Sequence, residues 1–551
     1  MKKSFPLILL FLVGIFFSCT KNKPISTAME TIDTDDLRRH VKTLGSDAFL
    51  GRKPFTRGED SALAYLEEEF KKIGLKPVKG SYYQDVPMVE VSVDPSPHMD
   101  FRTPEGKFQL EYKDDFVAFS RRLTDRLELK DSELVFAGYG IVAPEYGWND
   151  YEGIDVEGKT VVVLVNDPGY GTGDQAFFTG NAMTYYGRWT YKYEEAARQG
   201  ARGLIIVHET GPAGYPWNVV LNGAVIPKLY LKPDDRYMSR CAVEGWITHQ
   251  AADELMSRYG HKLEALKEQA RKPGFKAMQL DGSVSFAMQS SHHFATSQNI
   301  MGYLPGSERK EEVVIYSAHW DHLGVDPTLQ GDTIYNGAVD NGTSLAWMLE
   351  MAEAFARLEE GPPRSVMFFA PTAEEQGLLG SKHYAQNPRF PLEKTVANIN
   401  NDLMLPYGRY EDVMVTGYGK SELDDLLEET VPHHDRYVYP DPNPQTGMYY
   451  RSDHFSFARV GVPALFARGN CDSRQHGKEW AREKEAFWLE NRYHDPGDEY
   501  NAETWDLRGV RDDARLFFEV GYRLANSSDF PRWKEGAEFK NTREKMMKDK
   551  K

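Results

Sequence analysis

The stretch YSAHWDHLG, residues 316–324, sets two histidines and an aspartate behind a run of aromatic and small residues. Imidazole nitrogen and carboxylate oxygen are donors that zinc accepts. Alone the pattern carries little, because His-x-Asp arises readily by chance and a histidine after a strand is more often hydrogen-bonded than ligating. Further groups of the same kind follow other apolar runs: Asp340 in NGAVDNGTS, Glu374 and Glu375 in PTAEEQG, Asp402 in NINND and His494 in RYHDPGDEY. Convergence is the signal. Two histidines and three carboxylates suit two metals better than one, since one carboxylate can bridge ions roughly 3.5–4 Å apart. One glutamate of the adjacent pair is then left for proton transfer.

These residues need a scaffold that gathers them. The runs EVVIYSA (312–318), RSVMFFA (364–370), TVANIN (395–400) and GVPALFA (461–467) read as buried strands. TSLAWMLEMAEAFARL (343–358) reads as a helix, with Thr343 as N-cap and Leu345, Leu349, Ala352 and Phe355 on one face. Buried strands alternating with helices predict an α/β fold: a mainly parallel mixed sheet in a three-layer α/β/α sandwich. Functional groups of such sheets collect beyond the carboxyl ends of the strands.

A smaller α/β unit is predicted within the chain at 131–290. It contains KTVVVLVND (159–167) and the helix–strand pair YKYEEAARQGARGLIIVH (191–208). GYGTG at 169–173 lacks the Gly-Lys-Ser/Thr ending of a phosphate loop and reads as a surface loop. The scaffold is thus divided into a first part at 31–130 and a metal-site part at 291–530. Residues 531–551, Lys-rich at the end, are expected to form a solvated polar tail.

With 83 acidic against 66 basic side chains, the net charge of −17 argues against nucleic acid, which requires a basic face. The opening MKKSFPLILLFLVGIFFSC has two lysines, an apolar run from Phe5 to Phe17 and Ser18-Cys19. That describes an export signal over 1–18, too short for a membrane span. The cysteine at the break resembles a bacterial lipoprotein signal, which implies acylation of Cys19, a polar tether at 19–30 and a periplasmic or cell-envelope location. Cys241 and Cys471 fall in different predicted units, so a disulfide scaffold is not expected.

Taken in order, AHWDHLG, GAVDNGTS, EEQGLLGS, NINND, YRSDHFSF and YHDPGDE resemble the co-catalytic di-zinc exopeptidases, a family of leucyl aminopeptidases and glutamate carboxypeptidases. The inserted unit resembles a protease-associated (PA) domain. The resemblance implies two Zn²⁺ ions, one on His319 and Asp402 and the other on Glu375 and His494, with Asp340 bridging and a cis peptide after it. It implies Glu374 as general base and Asp321 as the residue that orients a ligand. NINND has polar Asn401 where the family more often has an apolar residue, and the anionic Asp402 is the ligand expected there. Tyr449 and Tyr450 are candidate oxyanion donors, with packing as the plain alternative. Asp453 and His454 are expected to brace the loop.

The implied substrates are peptides. The catalytic segments 316–324, 336–344 and 371–381 are acidic or neutral, with Lys382 just beyond, which favours a substrate ammonium and hence an aminopeptidase. Arg451 and Arg188 are the basic candidates for a carboxylate clamp, as in a carboxypeptidase or dipeptidase. A receptor-like binding protein and a single-zinc cyclase are further alternatives; relatives of those kinds lack part of the ligand set.

Overall fold

The computed structural model describes residues 23–548; the expected export segment and Cys19 lie outside the described residues. Four strands form the parallel heart of the metal-site part, in the order Arg364–Ala370, Arg309–Ser317, Thr395–Asn400, Ala464–Arg468. The end of the long strand Met278–Leu304 flanks them antiparallel on one side, and Asp412–Val415 does so on the other.

Strand alternation explains the layers. Val314 and Tyr316 pack into a core with Trp347 and Phe355 of the helix Ser344–Ala356 and Phe517 of the helix Arg508–Asn526. Val313 and Ile315 point the other way, to Tyr384 of Leu379–Gln386 and Phe457 of His454–Arg459. Helices therefore cover both faces, and the chain is a mixed α/β protein with a large, mainly parallel sheet. Thr343 does not cap the helix as expected. Its hydroxyl donates to Val339 O at 2.9 Å, closing the irregular turn Ala338–Thr343 that delivers Asp340.

The smaller unit has its own parallel strands, Arg126–Phe136, Thr160–Leu164, Gly203–Val207 and Val243–Ile247. It begins earlier than residue 131. Phe116–Phe119 pairs with Val243–Ile247, and Met99, Phe101 and Leu110 share a core with Leu134 and Phe136. The short strands and Pro/Gly breaks of this stretch conceal that continuity in the sequence. Met278–Leu304 pairs with Arg126–Phe136 near its start and with Arg364–Ala370 at its end, tying the two units together.

Both ends depart from expectation. Lys23–Glu30, read as tether, is helical and buries Ala28 in the main core. The expected polar tail buries Trp533 and Phe539, and Trp533 Nε1 donates to Gly461 O at 2.8 Å. In the helix Lys540–Lys548, Arg543 reaches the carbonyls of Leu392 and Thr395, each at 2.9 Å. Lysine content masked a few anchoring aromatics. Among the described residues no helix is long and apolar enough to cross a membrane.

One buried group makes the core pH-sensitive. Glu350 accepts from Asp33 N–H at 3.2 Å, while its Oε1 has no hydrogen bond. Burial pushes it up to about 8 and pushes the neighbouring His40 down to about 4, so the two do not form an ion pair at neutral pH. The folded state holds the Glu350 proton more tightly than the unfolded chain does. Its stabilisation is therefore complete below about pH 4.5 and is lost as pH rises towards 8. Glu350→Gln should flatten the decline in Tm over that window, gaining on the order of 2–4 kcal/mol relative to wild type at pH 8. Parallel Tm–pH curves for the two proteins would refute this.

Candidate metal centre

The expected residues gather beyond the carboxyl ends of the parallel strands. His319 follows Arg309–Ser317, Glu374 and Glu375 follow Arg364–Ala370, and Asp402 follows Thr395–Asn400. His319 Nε2 lies 3.3 Å from Asp402 Oδ1 and 3.4 Å from Asp340 Oδ1. His494 Nε2 lies 3.0 Å from Glu375 Oε2 and 3.5 Å from Asp340 Oδ2. The two oxygens of Asp340 thus face two separate donor groups. Asn401 turns away and donates to Ala467 O at 3.1 Å.

Asp340 is held from several directions. The Asp340–Asn341 peptide is cis. Gly337 has φ +57°, and a Cβ there would stand 2.2 Å from Asp340 O, so this turn requires glycine. The Asp498 carboxylate accepts the N–H groups of Val339 and Asp340, each at 3.0 Å. Behind them the buried Arg52 guanidinium donates to the carbonyls of Leu44 (2.7 Å), Trp320 (2.9 Å), Asn336 (2.6 Å) and Gly337 (2.9 Å).

Asp321 acts mainly on the glutamates. Its carboxylate accepts Glu374 N–H at 3.0 Å and Glu375 N–H at 3.4 Å. His319 Nδ1 instead meets the backbone carbonyl of Asp321, at 3.1 Å. That contact leaves Nε2 directed at the cluster.

Charge is concentrated here. Burial opposes the His319 cation, yet Asp402, Glu374 and Asp340 hold its pKa well above the ordinary value. Burial likewise opposes the His494 cation, and Glu375 and Asp340 raise it to about 10. Glu375 is brought down to about 2 despite burial and the adjacent Asp340, through His494 and His322. Burial, then Asp402 and Glu375, raises Glu374 well above its usual range. A pocket whose carboxylates favour the cationic form of both histidines is suited to divalent metal. The donor set fits zinc: His319, Asp340 and Asp402 form one group able to hold an ion.

His322 is a site residue that sequence reasoning passed over, although it stands in the opening stretch. Its Nδ1 lies 2.7 Å from Glu375 Oε1, and it forms a second possible ion-holding group with Asp340 and Glu375. Since that nitrogen already engages the Glu375 oxygen remote from His494, His322 is best described as a brace for the glutamate. Arg52 and Asp498 were also passed over. Asp498 shares a motif with His494, whereas GRKPF around Arg52 carries no signal.

Other expectations do not hold. The Tyr450 hydroxyl donates to the buried Glu538 at 2.6 Å rather than facing the metal cluster, and Tyr449 packs edge-on against His454. Asp453 is buried near His319 and Asp402, and burial pushes it up to about 7. Its carboxylate makes no hydrogen bond, so the loop is braced by its neighbours: Ser452 accepts from Asn400 Nδ2 and Ser456 from Ser381, each at 2.8 Å. Tyr493, stacked on His494 with ring centroids 3.9 Å apart, also lines the cleft. The cleft wall is mixed in charge: Glu194, Asp234 and Asp235 line it together with Arg188, Lys382 and Arg451.

A mainly parallel α/β sheet carrying a histidine–carboxylate cluster at its strand ends defines a candidate metal-binding α/β domain. Residues 299–516 match the sequence profile of Peptidase family M28. Aminopeptidase YwaD of Bacillus subtilis (strain 168) is 34% identical over 111 residues, 20% of this chain and 22% of that protein. A probable zinc metalloprotease of Pyrenophora tritici-repentis is 35% identical over 106 residues, 19% of this chain and 24% of that protein. Aminopeptidase NAALADL1 of Mus musculus is 30% identical over 139 residues, 24% and 17% of the two chains. The matched segment thus spans between 17% and 24% of the length of these relatives.

Among solved structures, an aminopeptidase from Aneurinibacillus sp. strain AM-1 aligns over 91% of this chain and 96% of its own, with TM-score 0.49 and 19% identity. BSAP, a zinc aminopeptidase from Bacillus subtilis, aligns over 89% and 94%, with TM-score 0.40 and 16% identity.

Proposed function

We propose that the protein is a di-zinc exopeptidase that removes N-terminal residues from peptides outside the cytoplasm. The observation that carries this reading is the divided carboxylate of Asp340, with Oδ1 at 3.4 Å from His319 and Oδ2 at 3.5 Å from His494. His319 and Asp402 would hold one zinc, Glu375 and His494 the other, and Asp340 would bridge them. Bound zinc would supply polarisation of the scissile carbonyl and a lowered pKa for water at the site.

The remaining work falls to the chain. Glu374, 4.0 Å from His319 Nε2 and fixed at its backbone by Asp321, takes the proton of the attacking water and returns it to the leaving amine. Tyr493 lines the cleft where a hydroxyl could face a developing oxyanion. Relatives named as aminopeptidases support the choice of terminus. The cleft arginines favour the second reading, a carboxypeptidase or dipeptidase.

Two blocked peptides decide between these. The expected result is shortening of a C-amidated peptide with a free amine and no action on an N-acetylated peptide with a free carboxylate, read by mass spectrometry. The reverse pattern would establish the carboxypeptidase reading.

We place the protein in the cell envelope, lipid-anchored through Cys19, on the strength of the N-terminal charged, apolar and cysteine pattern. Cys19→Ser should then move the protein from the membrane to the soluble fraction in the native host. Identical fractionation of both forms would remove the lipid anchor.

A further inference from the structure

The cleft beside the metal cluster, of about 850 Å³, is lined from two units. Arg188 and Trp189 come from the inserted unit, and Tyr450, Ser452 and Phe455 from the metal-site part. Units of one chain move relative to each other unless their interface holds them. A cleft shared in this way therefore needs something to keep its two linings in register.

One carboxylate reaches both. Glu538 belongs to the C-terminal segment, and its side chain is 4% exposed. Its Oε1 accepts from the Tyr450 hydroxyl at 2.6 Å and from Tyr185 N–H at 3.3 Å, while Oε2 accepts from Lys420 Nζ at 2.7 Å. Tyr450 lines the cleft itself. Tyr185 opens the short turn Tyr185–Gly187, which leads directly into Arg188 and Trp189. A single oxygen is thus bonded to both linings.

That oxygen is itself held in place. On either side of Glu538, Trp533 donates to Gly461 O, and Arg543 donates to Leu392 O and Thr395 O. Burial works against the Glu538 charge, yet Lys420 and the Tyr450 hydroxyl hold its pKa below the ordinary carboxylate value. Hydrogen bonds to an ionised acceptor are shorter and stronger than neutral ones. Other contacts keep the units docked. The Tyr185 ring lies 6.1, 5.3 and 6.2 Å from those of Tyr450, Phe455 and Phe539. Glu194 accepts from the Tyr185 hydroxyl at 2.7 Å and from Arg459 at 2.6 Å, and Met183 N–H donates to Pro444 O at 3.2 Å. Oε1 adds a grip on the main chain of the turn itself.

We infer that Glu538 is a positioning residue for substrate binding: by bonding Tyr185 and Tyr450 through one oxygen it fixes the spacing of the two cleft linings, so peptides long enough to touch both depend on it. This rests on the exopeptidase reading and adds to it a dependence on substrate length.

The test uses the zinc-loaded full chain and its Glu538→Ala, Glu538→Asp and Glu538→Gln variants. Two substrate sets with varied first residues are compared: amino-acid p-nitroanilides, which occupy the metal side, and pentapeptide amides, which run on along the cleft. Glu538→Ala should raise KM for the peptides about tenfold, with kcat, zinc content and anilide kinetics within about twofold of wild type. Glu538→Asp keeps a charge for Lys420 but is a methylene short of reaching both tyrosines. It should follow the alanine variant, and it carries the test if Glu538→Ala does not fold. Glu538→Gln keeps an oxygen acceptor and should stay within about threefold of wild type. Hydrogen exchange read by mass spectrometry should quicken at 184–190 and 447–452 in the alanine and aspartate variants alone. A wild-type peptide KM in Glu538→Asp would overturn the positioning role, as would wild-type exchange there. Equal losses on anilides and peptides would mark a general structural role and overturn it too, leaving the exopeptidase reading standing. Cleavage of neither set by the wild type would overturn both.

Discussion

Glu374→Gln is expected to keep two zinc equivalents and to lose about a thousandfold in kcat, within the range typical of a lost general base. The basis is the division of labour at this turn. Glu375 Oε2 lies 3.0 Å from His494 Nε2 and its Oε1 lies 2.7 Å from His322, so it belongs to the ligand group. Glu374 is 4.0 Å from His319 and has no shorter ion pair. An amide in place of this carboxylate would preserve shape and remove the proton acceptor. Glu375→Gln should instead lose or weaken one metal, because an anionic donor has been replaced by a neutral one beside Asp340. Elemental analysis with active-site titration separates the two variants. A metal-deficient Glu374→Gln beside a fully loaded, slow Glu375→Gln would exchange their roles. One zinc or none in active wild-type protein would end the two-metal reading.

Much of this site was legible in the sequence because parallel strands advertise themselves. Runs such as RSVMFFA are apolar throughout, being buried on both faces, and the residue types just beyond them stand out against that background. That is how His319, Glu374, Glu375 and Asp402 could be found without coordinates. What escaped depends on chain reversals that no local pattern encodes. Arg52 lies 268 residues from the Trp320 carbonyl it holds. Tyr450 looked like an oxyanion donor until Glu538, from a tail read as solvated, proved to take its hydroxyl. His322 stands in the opening stretch, but nothing local shows that it reaches Glu375, 53 residues on. Lys382, Arg188 and Arg451 could each be named from the sequence, but they come from separated segments and nothing local shows that they line one cleft.

Arg52→Met should destabilise the protein by on the order of 5 kcal/mol and weaken zinc binding at the Asp340 bridge. Arg52 is fully buried and, with no hydrogen-bonded carboxylate, spends its donors on main-chain carbonyls. Burial brings it down to about 10, so it remains a cation at neutral pH. The chain goes to some length to place it. Leu50, Gly51 and Arg52 all have positive φ, and a Cβ on Gly51 would stand 2.5 Å from the carbonyl oxygens of Gly324 and Tyr335. Methionine fills a similar volume but leaves the carbonyls of Leu44, Trp320, Asn336 and Gly337 buried without donors. Two of these belong to the segment that presents Asp340, whose N–H Asp498 holds from the opposite side. Losing the donors should therefore loosen the bridging carboxylate as well as the fold. Arg52→Lys, with fewer donors and no planar fork, should fall between the two. Denaturant titration measures the stability, and competition with a chromophoric chelator measures zinc affinity in whichever variant remains folded. Wild-type stability and wild-type zinc affinity in Arg52→Met would show that the guanidinium supports neither the turn nor the bridge.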